Sequence, residues 1–93
     1  MPLFVNIHRA PGLSREEFQQ NAPDVLASKN AKMLHVYVNM FEGFIVTVYE
    51  GDSVQAVESE FERLGFPFEE VHEVQLDISR DQLQAMVDSH GGG

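Results

Sequence analysis

Apolar residues recur with two different periods along this chain, and the switches between them predict its elements. Leu3-Phe-Val-Asn-Ile-His-Arg9 reads as a first strand, ended by the turn residues Ala10-Pro11-Gly12. Phe18, Ala22, Val25 and Leu26 follow at helical spacing behind Ser14, and Glu17 completes a capping box with that serine. Pro23 lies inside this pattern and predicts a kink or a break at Ala22, because proline lacks an N–H and crowds the preceding turn. From Lys32 to Glu50 the period becomes two. Leu34, Val36, Val38 and Met40 fall on one side, and Met33, His35, Tyr37 and Asn39 on the other. Phe41-Glu42-Gly43 connects this strand to a second one, Phe44 to Tyr49, so a hairpin sits mid-chain.

Helical spacing returns at Val54, Val57, Phe61 and Leu64, with Asp52 and Gln55 as the expected capping pair and Gly65 at the C-terminal end. Pro67 holds its neighbour extended, and Val71 to Ile78 reads as a fourth strand. Ser79 and Gln82 start a short third helix carrying Leu83, Met86 and Val87, and a disordered tail is expected from His90 to Gly93. The order is β-α-β-β-α-β plus a terminal helix. Short connections and right-handed crossovers select a ferredoxin-like α+β arrangement: a four-stranded antiparallel sheet, order 4-1-3-2, with both main helices on one face. Residues 1–79 form that domain, and 80–93 the added helix and glycine tail.

This architecture leaves one sheet face bare. With Leu3, Val5 and Ile7 assigned to the helices, Phe4, Asn6 and His8 face outward, beside Met33, His35, Tyr37 and Asn39. Ile45, Thr47 and Tyr49 are the favoured outward set on the third strand. On the fourth, Val74, Leu76 and Ile78 read as core and Glu73, Gln75 and Asp77 as outward, which turns His72 toward the helices. A face this mixed packs on a second copy of the chain or roofs a small-molecule site. Asn6, His35, Tyr37 and Asn39 are the candidate ligand-binding residues. His8 and Glu73, expected side by side at adjoining ends of strands one and four, are the candidate metal ligands, since a histidine–carboxylate pair suits a divalent transition ion.

Composition narrows the partners. The 93 residues make one domain, and a net charge of −9 with six lysines and arginines argues against a nucleic-acid partner. There is no cysteine, hence no disulfide and no thiolate site. No apolar stretch approaches a membrane span, and no basic-then-apolar leader opens the chain, so a cytoplasmic, membrane-free protein is expected. Zinc-protease, phosphate-loop, dinucleotide and nucleophile-elbow motifs are missing, so no organic cofactor and no catalytic residue is implied.

Three segments together resemble a known family: His8-Arg9 before Pro11-Gly12-Leu-Ser14, the hairpin ending in Val48-Tyr49-Glu50, and Gly65-Phe-Pro-Phe-Glu-Glu-Val-His-Glu-Val74. They are similar to a group of small ferredoxin-like domains, largely of unknown function, whose name-giving member is described as a nickel-binding protein. The resemblance implies the ferredoxin-like fold, a homodimer formed through the open sheet face, and binding of nickel or another divalent transition metal. The function expected is thus a dimeric domain holding a metal ion or small ligand at that face. The alternative is a small cofactor-independent enzyme, a monooxygenase or isomerase, with an apolar pocket on the same face.

Overall fold

A computed structural model describes residues 1–91. The elements run β1 (Leu3–Arg9), α1 (Arg15–Ala27), β2 (Lys32–Asn39), β3 (Phe44–Glu50), α2 (Val54–Leu64), β4 (Glu70–Val74) and α3 (Arg80–Gly91). The sheet is antiparallel with order β2-β3-β1-β4, which is the expected 4-1-3-2 seen from the other edge. It is a ferredoxin-like α+β domain.

Local chemistry explains where most elements begin and end. Ser14 caps α1 by accepting from the Glu17 N–H at 3.1 Å and donating to its carboxylate. The helix continues through Pro23 to Ala27, so the expected break at Ala22 does not occur. Ser28 then ends it in the left-handed conformation, φ 51°. The α2 cap is Ser53, one residue later than the expected Asp52, because the Ser53 hydroxyl accepts from the Ala56 N–H. Ser79 and Gln82 cap α3 reciprocally, at 2.8 and 3.1 Å. The fourth strand is shorter than expected, ending at Val74 rather than Ile78. His90 and Gly91 belong to α3 rather than to a tail, and the rest of the expected tail, Gly92 and Gly93, lies outside the described residues.

Between β2 and β3, the Asn39 side chain accepts from the N–H groups of Phe41 and Glu42 and holds the turn. Gly43 closes that turn at φ 66°, and a Cβ there would lie 2.7 Å from Ala10 and Pro11 backbone atoms. Only glycine lets the hairpin end lie against the β1–α1 loop, where Ala10 N–H donates to Gly43 O.

The sheet faces are the reverse of the expectation on three of four strands. Phe4, Asn6, His8, Ile45, Thr47 and Tyr49 are buried under the helices. The half-buried Leu3, Val5, Ile7, Phe44, Val46 and Val48 therefore line the open face. On β4, Glu70, His72 and Val74 pair with Ile7, Val5 and Leu3 on that open face, so His72 is no core-edge residue. Only β2 keeps most of its expected facing: Val36 and Val38 pair with Thr47 and Ile45, whereas His35, Tyr37 and Asn39 pair with Val48, Val46 and Phe44 on the open face. A register shift between Met33 and His35 sends Met33 to the helix side opposite Tyr49. The core is Phe4, Ala31, Tyr49, Val57 and Phe61, with Met33, Val54, Phe66, Phe68 and Val71 around it.

One carboxylate lies wholly inside. Glu60 of α2 accepts from the Asn30 N–H at 2.9 Å and from the Arg63 guanidinium, which also donates to the Asp24 carbonyl at 2.8 Å. Desolvation pushes the Glu60 carboxyl up, but the bonds from Arg63 and Asn30 outweigh it and leave its pKa below the usual range. Burial first, then the Glu60 charge, pushes the Tyr49 phenol up to about 12, with Arg63 opposing. A carboxyl with a depressed native pKa contributes stability that is present above its unfolded value and lost as pH falls through the native one. Glu60→Gln should therefore lower stability at pH 7 by about 1–3 kcal/mol. It should also flatten the acid limb of the stability curve below pH 4.5, the ordinary value, in urea melts across pH. An unchanged acid limb would show that Glu60 is not the titrating group.

Candidate functional site

The α2–β4 connection builds one wall of the site. Gly65 sits left-handed at the end of α2, its N–H donating to Glu62 O, while the Phe66 N–H donates to Phe61 O at 2.9 Å. This pair of bonds turns the chain back and brings the Phe66 ring within 6.0 Å of Phe61. Pro67 keeps the next step extended, so Phe66 comes to lie flat on His8, ring centroids 3.9 Å apart and planes 1° from parallel. The Phe61 edge meets the same imidazole at 4.7 Å.

His8 is fully buried, and both its nitrogens are engaged. Nδ1 lies 3.0 Å from Pro67 O, which can only accept, so Nδ1 carries the proton. Nε2 of the neutral ring is then the acceptor, and the Thr47 hydroxyl donates to it at 2.9 Å. Thr47 Oγ1 in turn accepts from Asn6 Nδ2 at 3.2 Å. The chain of bonds runs in one direction, Asn6 to Thr47 to His8 to Pro67. Asn6 Oδ1, buried and without a partner, is its unfinished end. Burial lowers the His8 pKa, opposed by the bond to Pro67.

This arrangement corrects two expectations. Asn6 and His8 are inside the domain and not on the open face. His8 and Glu73 do not meet, because Glu73 is opposite Phe4, four residues along β1 from His8, or about 13 Å. Beside the His8 end of β1 the chain offers Glu69, whose N–H bonds Ile7 O and whose carboxylate pairs with Arg9 on the surface. The nickel-type site therefore does not fit at His8. Among the described residues no group of three or more histidine, aspartate or glutamate side chains gathers to hold a metal ion.

The other candidates fall on the open face. His35 and Tyr37 stack with centroids 4.3 Å apart, and Tyr37 is 58% exposed. Asn39 is used by the turn. Across the sheet, His72 Nε2 lies 2.8 Å from Glu70 Oε1. His35, Val48, Val5 and His72 form one row over all four strands, with a histidine at each edge.

The feature missed from the sequence is a cleft of about 320 Å³ beneath α1. Its walls are Leu13, Phe18, Ala22, Val25, Met33 and Phe66, with Asn21 and Asp24 among its polar groups. None of the thirteen residues of α1 is buried, so the helix rests on the sheet without closing onto it. Pro23 was the available signal: a proline in the third turn deprives the helix of one backbone bond. The wall opposite α1 is the Phe66–Pro67 corner that His8 holds in place.

The fold defines a ferredoxin-like α+β domain with an apolar cleft beneath α1. The chain is similar to SCO4226 from Streptomyces coelicolor A3(2), a crystal structure matched with a TM-score of 0.71 and 29% identity. That match covers 81% of this chain and 98% of the other. No family model matches the chain, and no curated protein does. No described helix is long and apolar enough to cross a membrane.

His8 has a lowered native pKa, so the unfolded chain binds the extra proton first, and stability falls as pH drops below the ordinary value of 6.5. His8→Phe should remove that slope between pH 6.5 and the native pKa. It should cost about 1–3 kcal/mol at pH 8 by stranding the Thr47 hydroxyl and the Pro67 carbonyl. Denaturant midpoints at several pH values read both effects, and a slope that survives the substitution would assign it elsewhere.

Proposed function

We propose that this protein is a homodimeric small-molecule-binding domain whose ligand occupies the cleft beneath α1. The observation that carries the reading is a thirteen-residue helix without one buried residue, standing over an apolar cavity of about 320 Å³. That volume is within the range of small-ligand sites. The lining calls for a compact apolar body, and Asp24 with the acidic surface, net charge −9, favours a cationic or hydrogen-bond-donating end. Binding suits this cleft better than turnover, because its polar lining is a carboxamide and a carboxylate, while the imidazole behind it has no nitrogen to spare. The enzymatic alternative, a monooxygenase or isomerase, lacks an acid–base pair there. A cytoplasmic setting suits a cysteine-free chain and belongs to the same proposal.

The dimer rests on the open face. Leu3, Val5, Ile7, Phe44, Val46 and Val48 form an apolar centre, and His35, Tyr37, Asn39, Glu70 and His72 a polar rim, as in a self-complementary interface. Tryptamine, an aromatic amine, is a suitable first probe of the cleft. Titration followed by amide NMR should move Phe18, Ala22, Met33 and Phe66. Ala22→Phe should fill the space, raise Tm by a few degrees and abolish those shifts. Shifts confined to His35 and Tyr37 would move the ligand to the open face and overturn the cleft reading.

A second reading places a divalent metal, nickel among the candidates, at the dimer interface. If the two-fold axis runs along the strands, β4 of one protomer covers β2 of its partner, and the shared row brings His72 and Glu70 over the partner's His35. Two nitrogens and a carboxylate suit nickel, copper or zinc. Calorimetric titration with nickel should then give two ions per dimer, lost in His35→Ala and in His72→Ala and kept in His8→Phe. Uptake indifferent to His72 would remove this site.

A further inference from the structure

Helix α3 has no place on its own domain. Every residue from Arg80 to His90 is exposed, and the molecule is drawn out to 53 Å along one axis against 31 and 21 Å along the others. Yet Leu83, Met86 and Val87, each more than half exposed, make an apolar stripe at helical spacing. On the same chain a second apolar series is uncovered along the opposite edge of the sheet: Leu34, Tyr37, Met40 and Phe41, the last fully exposed. The arm leaves from β4, and β2 is the far edge strand, so the two belong to opposite sides of one protomer.

We infer that α3 is an exchanged arm that lies along the β2 edge of a second copy of this chain. The inference rests on the face-to-face dimer proposed above, taken with its two-fold axis along the strands, the arrangement that sets each β4, and the arm that follows it, over the partner's β2. Lengths agree: a twelve-residue helix is about 18 Å long, and the strand from Leu34 to Met40 about 20 Å. Area agrees as well. Two four-stranded faces, with strands of five to eight residues, cover only roughly 900 Å² between them, short of the ~1,200 Å² at which stable interfaces begin. Two reciprocal arms, each about 18 by 10 Å and covering an equal patch, raise the total to roughly 1,600 Å², a standard interface. The similar Streptomyces structure is matched over 98% of its length but 81% of this chain, leaving about 18 residues here (19% of 93) without a counterpart. That is the size of the segment after β4. A membrane surface is a poorer occupant, because the arm carries Asp81 and Asp88 against a single arginine, Arg80.

Sedimentation equilibrium on the full chain tests this. The wild type should be a dimer, and Val46→Arg, at the centre of the open face, should be a monomer. The full-length triple variant Leu83→Gln, Met86→Gln, Val87→Gln should keep its fold and dimerise at least tenfold more weakly. The chain has no cysteine, so Met86→Cys and Tyr37→Cys proteins, altered at the midpoints of the two matched lengths and mixed under mild oxidation, should form the mixed disulfide in preference to either like pair. A monomeric wild type defeats the dimer and the arm together. A dimer whose affinity ignores the triple substitution overturns the arm and leaves the dimer standing. Flotation of the wild-type chain with phosphatidylcholine vesicles, lost in the triple variant, would assign the arm to a membrane and overturn it equally.

Discussion

The hydrogen-bond chain from Asn6 through Thr47 to His8 and Pro67 is the constraint on which the domain turns. It ties β1 to β3 and both to the segment between α2 and β4, three parts of the chain far apart in sequence. Polar groups under a pair of helices are tolerated only when they satisfy one another, and here they do so almost completely. Because Nδ1 must donate to Pro67, the whole chain has one direction and one tautomer. The imidazole is then a flat, neutral plate for Phe66, and that stacking sets the wall of the cleft. Loss of the plate would release the wall, so the cleft and the core share one support.

The same chain explains what could and could not be read in advance. Element order was legible because its signals are local: the Ser14–Glu17 and Ser79–Gln82 caps, Gly65 after α2, and the two-residue period from Lys32 to Glu50. The grouping of Phe4, Asn6 and His8 with Thr47 and Tyr49 on one face was legible too. Which face was not. Asparagine, histidine and threonine look solvent-bound when taken one at a time, and Leu3, Val5 and Ile7 look like core. Only the register, Asn6 opposite Thr47, shows that the polar set satisfies itself. The His8–Glu73 pair failed for a related reason: β4 begins at Glu70, so Glu73 lies near its far end. The bulge after Met33, which turns that side chain into the core edge, left no mark in a perfectly alternating sequence.

Reversal of the faces changes what the open side is for. Had Phe4, Asn6 and His8 pointed outward, the bare face would be a hydrogen-bonding surface suited to a ligand or ion. Instead it is aliphatic in the middle and polar at its edges, the composition on which the proposed dimer rests. The polar set and the aliphatic set have exchanged sides of the sheet. A gap is left under α1, a helix tied near its C-terminal end by Arg63 to the Asp24 carbonyl and without a buried residue.

These two features are coupled through the sheet. Met33 lines the cleft from β2, the strand whose other face carries His35 and Tyr37 at the rim of the open side. A ligand that presses on Met33 would act on the strand that a second protomer would cover, at the register shift between Met33 and His35. An occupant of the cleft that pins Met33 favours one position of β2, and association through the open face favours one position of the same strand. If the proposed ligand and the proposed dimer both fix the position of β2, each lowers the conformational cost of the other, which is the thermodynamic form of positive coupling between a small-molecule site and an interface.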